Sequence, residues 1–241
     1  QAYGNASGTN RECAGAAEEY ASMVDKLDRQ VGAIVDQVRK LGLDKRTIII
    51  FSSDNGHELY YRTDKGRGRG PDCHGGVLDG TGELLDVFRG SRGRVGPNNA
   101  MANLAGLKWT SHEGGIRVPL IISWPGTLPH GKVCHSLVAN YDHMASFADL
   151  AGIRMPEGKD AVSYMDILSG NSSRQRDYVV VDHTVITGDG WKLTQKQNKP
   201  FLFHIGRDPE ERNNLAGTRK DQLEKLRAIY RKEVGSPRKD R

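Results

Sequence analysis

The sequence predicts an α/β fold: part of a mixed, mainly parallel β-sheet flanked by helices, followed by a small antiparallel sheet and a terminal helix. Three patterns predict it. An amphipathic helix pattern leads through a short loop into the apolar run Ile48–Phe51, and a run without polar alternation is typical of a strand covered on both faces. A second strand pattern spans Ile116–Trp124. After about residue 175, apolar and polar residues alternate around a glycine turn, which is typical of antiparallel hairpins.

The first predicted element is a helix over residues 16–41, where apolar residues recur at three- and four-residue spacing. Gly42 predicts its C-terminal end, and the loop Leu43–Arg46 leads to a strand over Thr47–Ser52. Helix, loop and buried strand form the second half of a βαβ unit, so a parallel strand should precede the helix. No strand pattern lies before Ala14, and we therefore expect the sheet to include strands that this sequence does not contain.

The remaining patterns divide the chain into two predicted domains, residues 1–174 and 175–241. In the first, we expect Val118–Ser123 to join the main sheet and a helix over Tyr141–Leu150 to end at Gly152. In the second, a Gly-Asp-Gly turn joins strands of a small antiparallel sheet. A charged amphipathic helix over residues 218–234 closes the chain.

Residues 62–106 are dense in glycine and arginine, and two interpretations stay open for them. Their composition is typical of disorder. A long loop inside a compact domain is also often functional, which favours a basic lid that faces a substrate.

The charge of the chain narrows the class of partner. Its 241 residues carry a formal net charge of +5, with a pI near 9.1. The basic residues do not alternate with aromatic ones and no nucleic-acid motif is present, so we expect no nucleic acid as partner. A positive surface also attracts sulfate and phosphate esters. No stretch approaches the roughly 20 apolar residues of a membrane span.

Polar residues follow the first predicted strand at its carboxyl end. Asp54, Asn55 and His57 stand in the sequence Ser-Asp-Asn-Gly-His, and in parallel sheets ligands bind outside the carboxyl ends of the strands. A carboxylate and an amide oxygen suit a hard cation. The alternative is a plain turn, because Asp, Asn and Gly all favour turns.

A second polar stretch, from Lys108 through His112 to a Glu-Gly-Gly turn, leads into the second predicted strand. Most lysines lie on the surface, and a surface position is the alternative for Lys108. Its place beside a strand end makes a functional role more plausible than for most lysines.

These two stretches together resemble the second half of the sulfatase family, within the alkaline phosphatase superfamily. The resemblance rests on Ser-Asp-Asn-Gly after a strand, then K-x-x-x-x-E-G-G-x-R-V-P from Lys108, then Trp-Pro-Gly. The helix before Asp54 is similar to the family's segment before the metal site. Gly-Trp-Lys-Leu-Thr and the Asp-Pro-x-Glu-x-x-Asn-Leu turn resemble its C-terminal sheet. The match runs from Tyr20 to Ala216.

The resemblance implies an arylsulfatase-like hydrolase of sulfate monoesters, acting on a sulfated small molecule or polysaccharide. It implies that Asp54 and Asn55 bind a divalent cation, Ca²⁺ in preference to Mg²⁺ or Mn²⁺. Lys108 is implied to contact the sulfate as a catalytic residue. His57 and His112 lie inside the motifs and either contact substrate or stabilise the turns. Glu113 and Arg117 are expected to shape the second turn.

The chain departs from the family pattern at the nucleophile. Sulfatases use formylglycine made from the cysteine of a C-x-P/A-x-R motif, and no cysteine here has an arginine four residues later; the three are Cys13, Cys73 and Cys134. We therefore expect formylglycine in an N-terminal half that this sequence lacks, with that half as partner and the chain inactive alone. The family implies a periplasmic, extracellular or lysosomal location and leaves a cytoplasmic one open.

Two alternatives to sulfate ester hydrolysis stay open. One is a phosphodiesterase or phosphonate hydrolase of the same superfamily. The other is a non-catalytic sulfatase-like fragment that binds anions, which the absence of the cysteine motif favours.

Overall fold

The structure, a computed structural model, describes residues 11–56, 62–63, 66–67, 104–105, 110–170, 176–196 and 199–235. The described residues belong to two compact units. The first comprises Gln1–Asp44, Phe51–Leu120 and Pro209–Arg212. The second comprises Lys45–Ile50, Ile121–Asp208 and Asn213–Arg241. The described residues contain both helices and strands, which confirms the mixed α/β class. The boundary at residues 174 and 175 stays a prediction.

Helix α1, Arg11–Lys40, is the predicted first helix and begins earlier than residue 16. Gly42 ends it with a positive φ of 66°. The Gly42 amide donates to the Arg39 carbonyl at 2.9 Å, and the Leu43 amide donates to the Val38 carbonyl at 3.1 Å. These two bonds form a Schellman motif, which requires the left-handed backbone that glycine adopts readily.

A 3-10 turn, Asp44–Arg46, leads from α1 to strand β1, Ile49–Ser52. Later in the chain, strand β2, Arg62–Thr63, pairs antiparallel with strand β3, Gly66–Arg67. Most of the glycine- and arginine-rich segment 62–106 lies outside the described residues, so its two interpretations stay open.

The second predicted strand is shorter than expected. Glu113–Ile116 forms a short helix, α2, and strand β4 spans only Leu120–Ser123. The expectation of a strand from Ile116 is therefore wrong. The glycines of the turn permit the helical backbone, and Pro119 has no N–H to give to a sheet, so pairing begins after it.

Strands β1 and β4 pair in a two-stranded sheet. All four residues of β1 are half-buried, and Ile121 in β4 is 62% exposed. The described residues therefore do not cover these strands on both faces as their apolar sequences predict. The larger, mainly parallel sheet stays a prediction.

In the second unit, helix α3, Asp142–Leu150, has the predicted bounds to within one residue. It ends at Gly152, which has a φ of 64°. A short helix, α4, spans Met165–Leu168. Asp142 is 1% exposed, and its carboxylate accepts hydrogen bonds from the amides of Ala139 at 2.8 Å and Val162 at 2.9 Å. It therefore holds the segment before α4 against the start of α3.

The chain from residue 178 forms the predicted antiparallel sheet. Its strands are β5, Tyr178–Val181; β6, Thr184–Thr187; β7, Trp191–Lys196; and β8, Lys199–His204, paired in that order. The predicted Gly-Asp-Gly turn joins β6 to β7, and Gly190 there has a φ of 87°. Helix α5, Lys220–Glu233, packs on this sheet. Their shared core consists of Val185, Leu193, Leu202, Leu223, Leu226 and Tyr230.

No helix within the described part of the chain has the length and apolarity needed to cross a membrane. Cys134 is an exposed free thiol. The side chains of Cys13 and Cys73 lie outside the described ones.

Candidate functional site

The two polar stretches singled out in the sequence meet in the first unit. The Gly56 amide, at the end of Ser-Asp-Asn-Gly, donates to the Gly115 carbonyl at 2.8 Å. A Cβ on Gly56 would collide with the Gly114 carbonyl. The backbones after β1 and at the Glu-Gly-Gly turn are therefore in direct contact, and glycine is needed at position 56 for that approach.

Asp54 and Asn55 lie at the carboxyl end of β1, as the sequence predicts. Asp54 is exposed, and its Oδ1 accepts from the Asn55 amide at 2.9 Å. The Asn55 Nδ2 donates to the Gly56 carbonyl at 2.8 Å, which orients the amide group. Within the described residues, no donor contacts Asp54 Oδ2 or Asn55 Oδ1, and both are hard oxygen atoms of the kind that calcium and magnesium prefer.

The Glu-Gly-Gly turn is the helical turn α2. The Gly115 amide donates to the His112 carbonyl at 2.8 Å, and the Gly114 amide donates to the Ala105 carbonyl at 2.6 Å. Glu113 is buried, and its Oε2 lies 3.9 Å from Arg117 Nη1. The turn is thus bonded at its backbone and by its side chains, which agrees with the shaping role expected of Glu113 and Arg117.

A distant segment, Pro209–Arg212, anchors the same turn. Glu211 Oε1 accepts from the Glu113 amide at 2.7 Å, and Glu211 Oε2 lies 2.8 Å from His112 Nδ1. The Ala105 amide donates to the Pro209 carbonyl at 3.3 Å. Sequence reasoning did not select Glu211. The available signal was the Asp-Pro-x-Glu-x-x-Asn-Leu motif, whose glutamate is residue 211.

Two of the predicted site residues, His57 and Lys108, lie outside the described residues. The structure therefore brings together Asp54, Asn55 and the turn that follows His112, and leaves the other two as predictions. Among the described residues, no group of three or more His, Cys, Asp or Glu side chains could hold a metal ion. The oxygens of Asp54 and Asn55 fit a hard cation in kind, whereas calcium takes six to eight oxygens in all.

Two protein-family models match the chain. The model described as Sulfatase matches residues 2–153, and the model described as N-sulphoglucosamine sulphohydrolase, C-terminal, matches residues 108–239. The first includes both polar stretches of the candidate site. The second includes the antiparallel sheet and the segment that carries Glu211.

Proteins with curated names give similar matches. An N-acetylgalactosamine-6-sulfatase of Sus scrofa is 25% identical over 87% of this chain and 41% of its own length. An N-acetylgalactosamine-6-O-sulfatase of Bacteroides thetaiotaomicron is 26% identical over 79% of this chain and 37% of its own length. The chain thus spans about two fifths of the length of these relatives.

A solved structure gives the same coverage. A protein described in complex with its substrate D-glucosamine-2-N,6-O-disulfate has a TM-score of 0.64 and 20% identity, over 92% of this chain and 42% of that chain. At that identity the likeness shows a shared fold.

Proposed function

The chain belongs to the sulfatase family, and we propose that it supplies part of the active site of an enzyme that hydrolyses sulfate monoesters. The observation that carries this proposal is the contact between Gly56 and the Gly114–Gly115 turn. It brings the carboxyl end of β1, with Asp54 and Asn55, next to α2, the Glu-Gly-Gly turn that follows Lys108 in the sequence. Cation-binding oxygens and a cationic side chain near one sulfate would be suited to that chemistry.

Asp54 and Asn55 are the proposed ligands of the divalent cation that family membership suggests, with Ca²⁺ favoured over Mg²⁺ or Mn²⁺. Carboxylate and amide oxygens match the preference of calcium. When bound, the cation would act as a Lewis acid toward a sulfate oxygen. Asn55 Nδ2 is held by the Gly56 carbonyl, so the amide oxygen is already oriented before any ion binds.

Lys108 is the proposed sulfate-binding cation. A lysine ammonium is a compact point charge with three donors, and it would stabilise the negative charge that grows on the bridging oxygen as the ester bond breaks. The glutamate of its motif is Glu113, whose amide is held by Glu211 at 2.7 Å. This part of the motif therefore has a defined position.

The proposed substrate is a sulfated carbohydrate, as a small molecule or within a polysaccharide. The names of the relatives support this class, since two are N-acetylgalactosamine-6-sulfatases and a third protein binds a glucosamine disulfate. The formal net charge of +5 would favour a polyanionic substrate over a neutral one.

The proposed partner is the N-terminal half of a sulfatase, which would contribute formylglycine and the remaining metal ligands. It would also add strands beside β1 and β4 to make a mainly parallel sheet, covering apolar groups such as Ile121 that are exposed here. The site would operate in a periplasmic, extracellular or lysosomal compartment.

The test is an activity assay on the 241-residue chain with calcium, alone and with a sulfatase N-terminal half carrying formylglycine. We expect hydrolysis of an aryl sulfate and of an N-acetylgalactosamine 6-sulfate only in the combined sample. An Asp54→Ala chain in the same combination is the control for activity from a contaminating sulfatase, and it should show no turnover. Turnover by the chain alone would contradict the conclusion that it lacks a nucleophile. Preferential hydrolysis of a phosphodiester would instead indicate the phosphodiesterase alternative.

A further inference from the structure

Glu211 joins two distant parts of the first unit through a buried carboxylate. Its side chain is fully buried, while that of His112 is 15% exposed. One carboxylate oxygen accepts from the Glu113 amide and the other lies 2.8 Å from His112 Nδ1. The two oxygens therefore contact consecutive residues, His112 and Glu113, at the start of α2.

The chemistry of the pair determines the tautomer of His112. An ionised carboxylate only accepts hydrogen bonds, so the nitrogen that faces it must carry the proton. With an ionised Glu211, the proton of a neutral His112 lies on Nδ1. A carboxylate behind a histidine commonly sets the ring's orientation and tautomer in this way, and thereby sets what the other nitrogen can do.

The backbone at Glu211 shows that this arrangement has a conformational cost. Glu211 has a φ of 50°, in the left-handed region that residues other than glycine adopt rarely. The hydrogen bond from the Ala105 amide to the Pro209 carbonyl holds the same segment. Residues kept in such a conformation are strained and are concentrated at functional sites, so the backbone at Glu211 supports a role beyond closing a loop.

We propose that Glu211 is a positioning residue for the sulfate ester site. It holds His112 in the Nδ1–H tautomer and in one orientation, and it fixes the Glu113 amide, so that His112 and Glu113 keep their places when substrate binds. The inference deepens the proposed function and rests on it for its effect on turnover. Its effect on the tautomer of His112 does not depend on that function.

The first measurement is the tautomer of His112, read from the long-range ¹H–¹⁵N NMR spectrum of the 241-residue chain. We expect protonated Nδ1 in the unmodified chain. In Glu211→Gln, an NH2 donor replaces one of the two accepting oxygens, so the tautomer should change or become mixed. Glu210→Gln is the matched control, because Glu210 pairs with Arg212, and it should leave the ring unchanged. An unprotonated Nδ1 in the unmodified chain would overturn the proposal without any variant having to fold.

The second measurement is a double-mutant cycle in the complemented enzyme. We expect Glu211→Gln to lower kcat about 10- to 100-fold, the range for loss of an orienting partner, with a smaller change in KM. His112→Asn keeps a donor for Glu211 and removes the ring. If Glu211 acts through that ring, kcat of the double variant should be little lower than kcat of His112→Asn alone.

The results separate the two proposals. Additive losses, or an unchanged kcat in a Glu211→Gln variant that folds by circular dichroism, would overturn the positioning role. If the complemented, unmodified enzyme hydrolyses no sulfate ester, the proposed function fails, and the tautomer measurement decides whether Glu211 orients His112.

Discussion

Gly56 and Gly115 are joined by a 2.8 Å backbone hydrogen bond, and this bond aligns two segments that are far apart in the sequence. The Gly56 backbone also lies so close to the Gly114 carbonyl that a Cβ has no room. The end of β1 and the start of α2 therefore depend on each other for their positions.

Gly56→Ala should destabilise the protein by about 1–3 kcal/mol, because the added methyl group meets backbone that cannot rotate away. The measurement is urea unfolding, followed by circular dichroism. Gly32→Ala is the matched control. An added Cβ there meets nothing within 4 Å, and replacing a helical glycine by alanine should stabilise by about 0.5–1 kcal/mol. Equal effects of the two changes would contradict the close approach at Gly56.

Asp54→Ala should nearly abolish turnover in the complemented enzyme, because it removes a carboxylate from the proposed cation site. Calcium content, measured by metal analysis after dialysis, should fall with it. Asp28→Ala removes an exposed carboxylate from α1 and should change neither quantity. Retention of calcium and rate in Asp54→Ala would assign the ion to other residues.

Lys108→Ala should lower kcat by roughly 10² or more, by analogy with other donors that stabilise a developing oxyanion. Steady-state kinetics on an aryl sulfate give the measurement. Lys132→Ala, at an exposed position, is the control for loss of one positive charge. A loss of similar size in both variants would mean that net charge matters and the position of Lys108 does not.

Asp142→Ala should destabilise the second unit by about 3–5 kcal/mol, the cost of removing one partner from a buried ion pair. The carboxylate accepts two amide hydrogen bonds, and Arg176, 8% exposed at its side chain, lies 3.5 Å away. Denaturant unfolding tests this value, with the exposed Asp166→Ala as control. A loss below about 1 kcal/mol would show that these bonds contribute little.

Stability should fall at alkaline pH. Burial raises the pKa of Tyr164, whose ordinary value is 10.0, and that of Tyr230. The folded state then holds protons that the unfolded state releases, so this contribution is complete below pH 10 and is lost as pH rises through the higher, folded-state pKa. Urea midpoints at pH 8 and pH 11 should differ less in Tyr164→Phe than in the unmodified chain. An equal difference would assign the alkaline loss to other groups.

The sequence alone determined the elements that depend on local patterns. Apolar spacing and Gly42 located α1 and its end, and the apolar run before Asp54 predicted a strand over Thr47–Ser52, of which Ile49–Ser52 is observed as β1. Alternation around a Gly-Asp-Gly turn located β6 and β7. These predictions were accurate because helix periodicity, strand alternation and left-handed glycine are properties of neighbouring residues.

Which polar residues are joined follows from the tertiary structure. Glu210 and Glu211 are chemically identical neighbours in the sequence, yet only Glu211 is buried and bonded to the Glu113 amide, 98 positions away. The sequence also could not show that Gly56 lies against Gly114, or that Ile116 belongs to α2. Contacts between distant segments depend on the path of the whole chain, and a local pattern carries no information about that path.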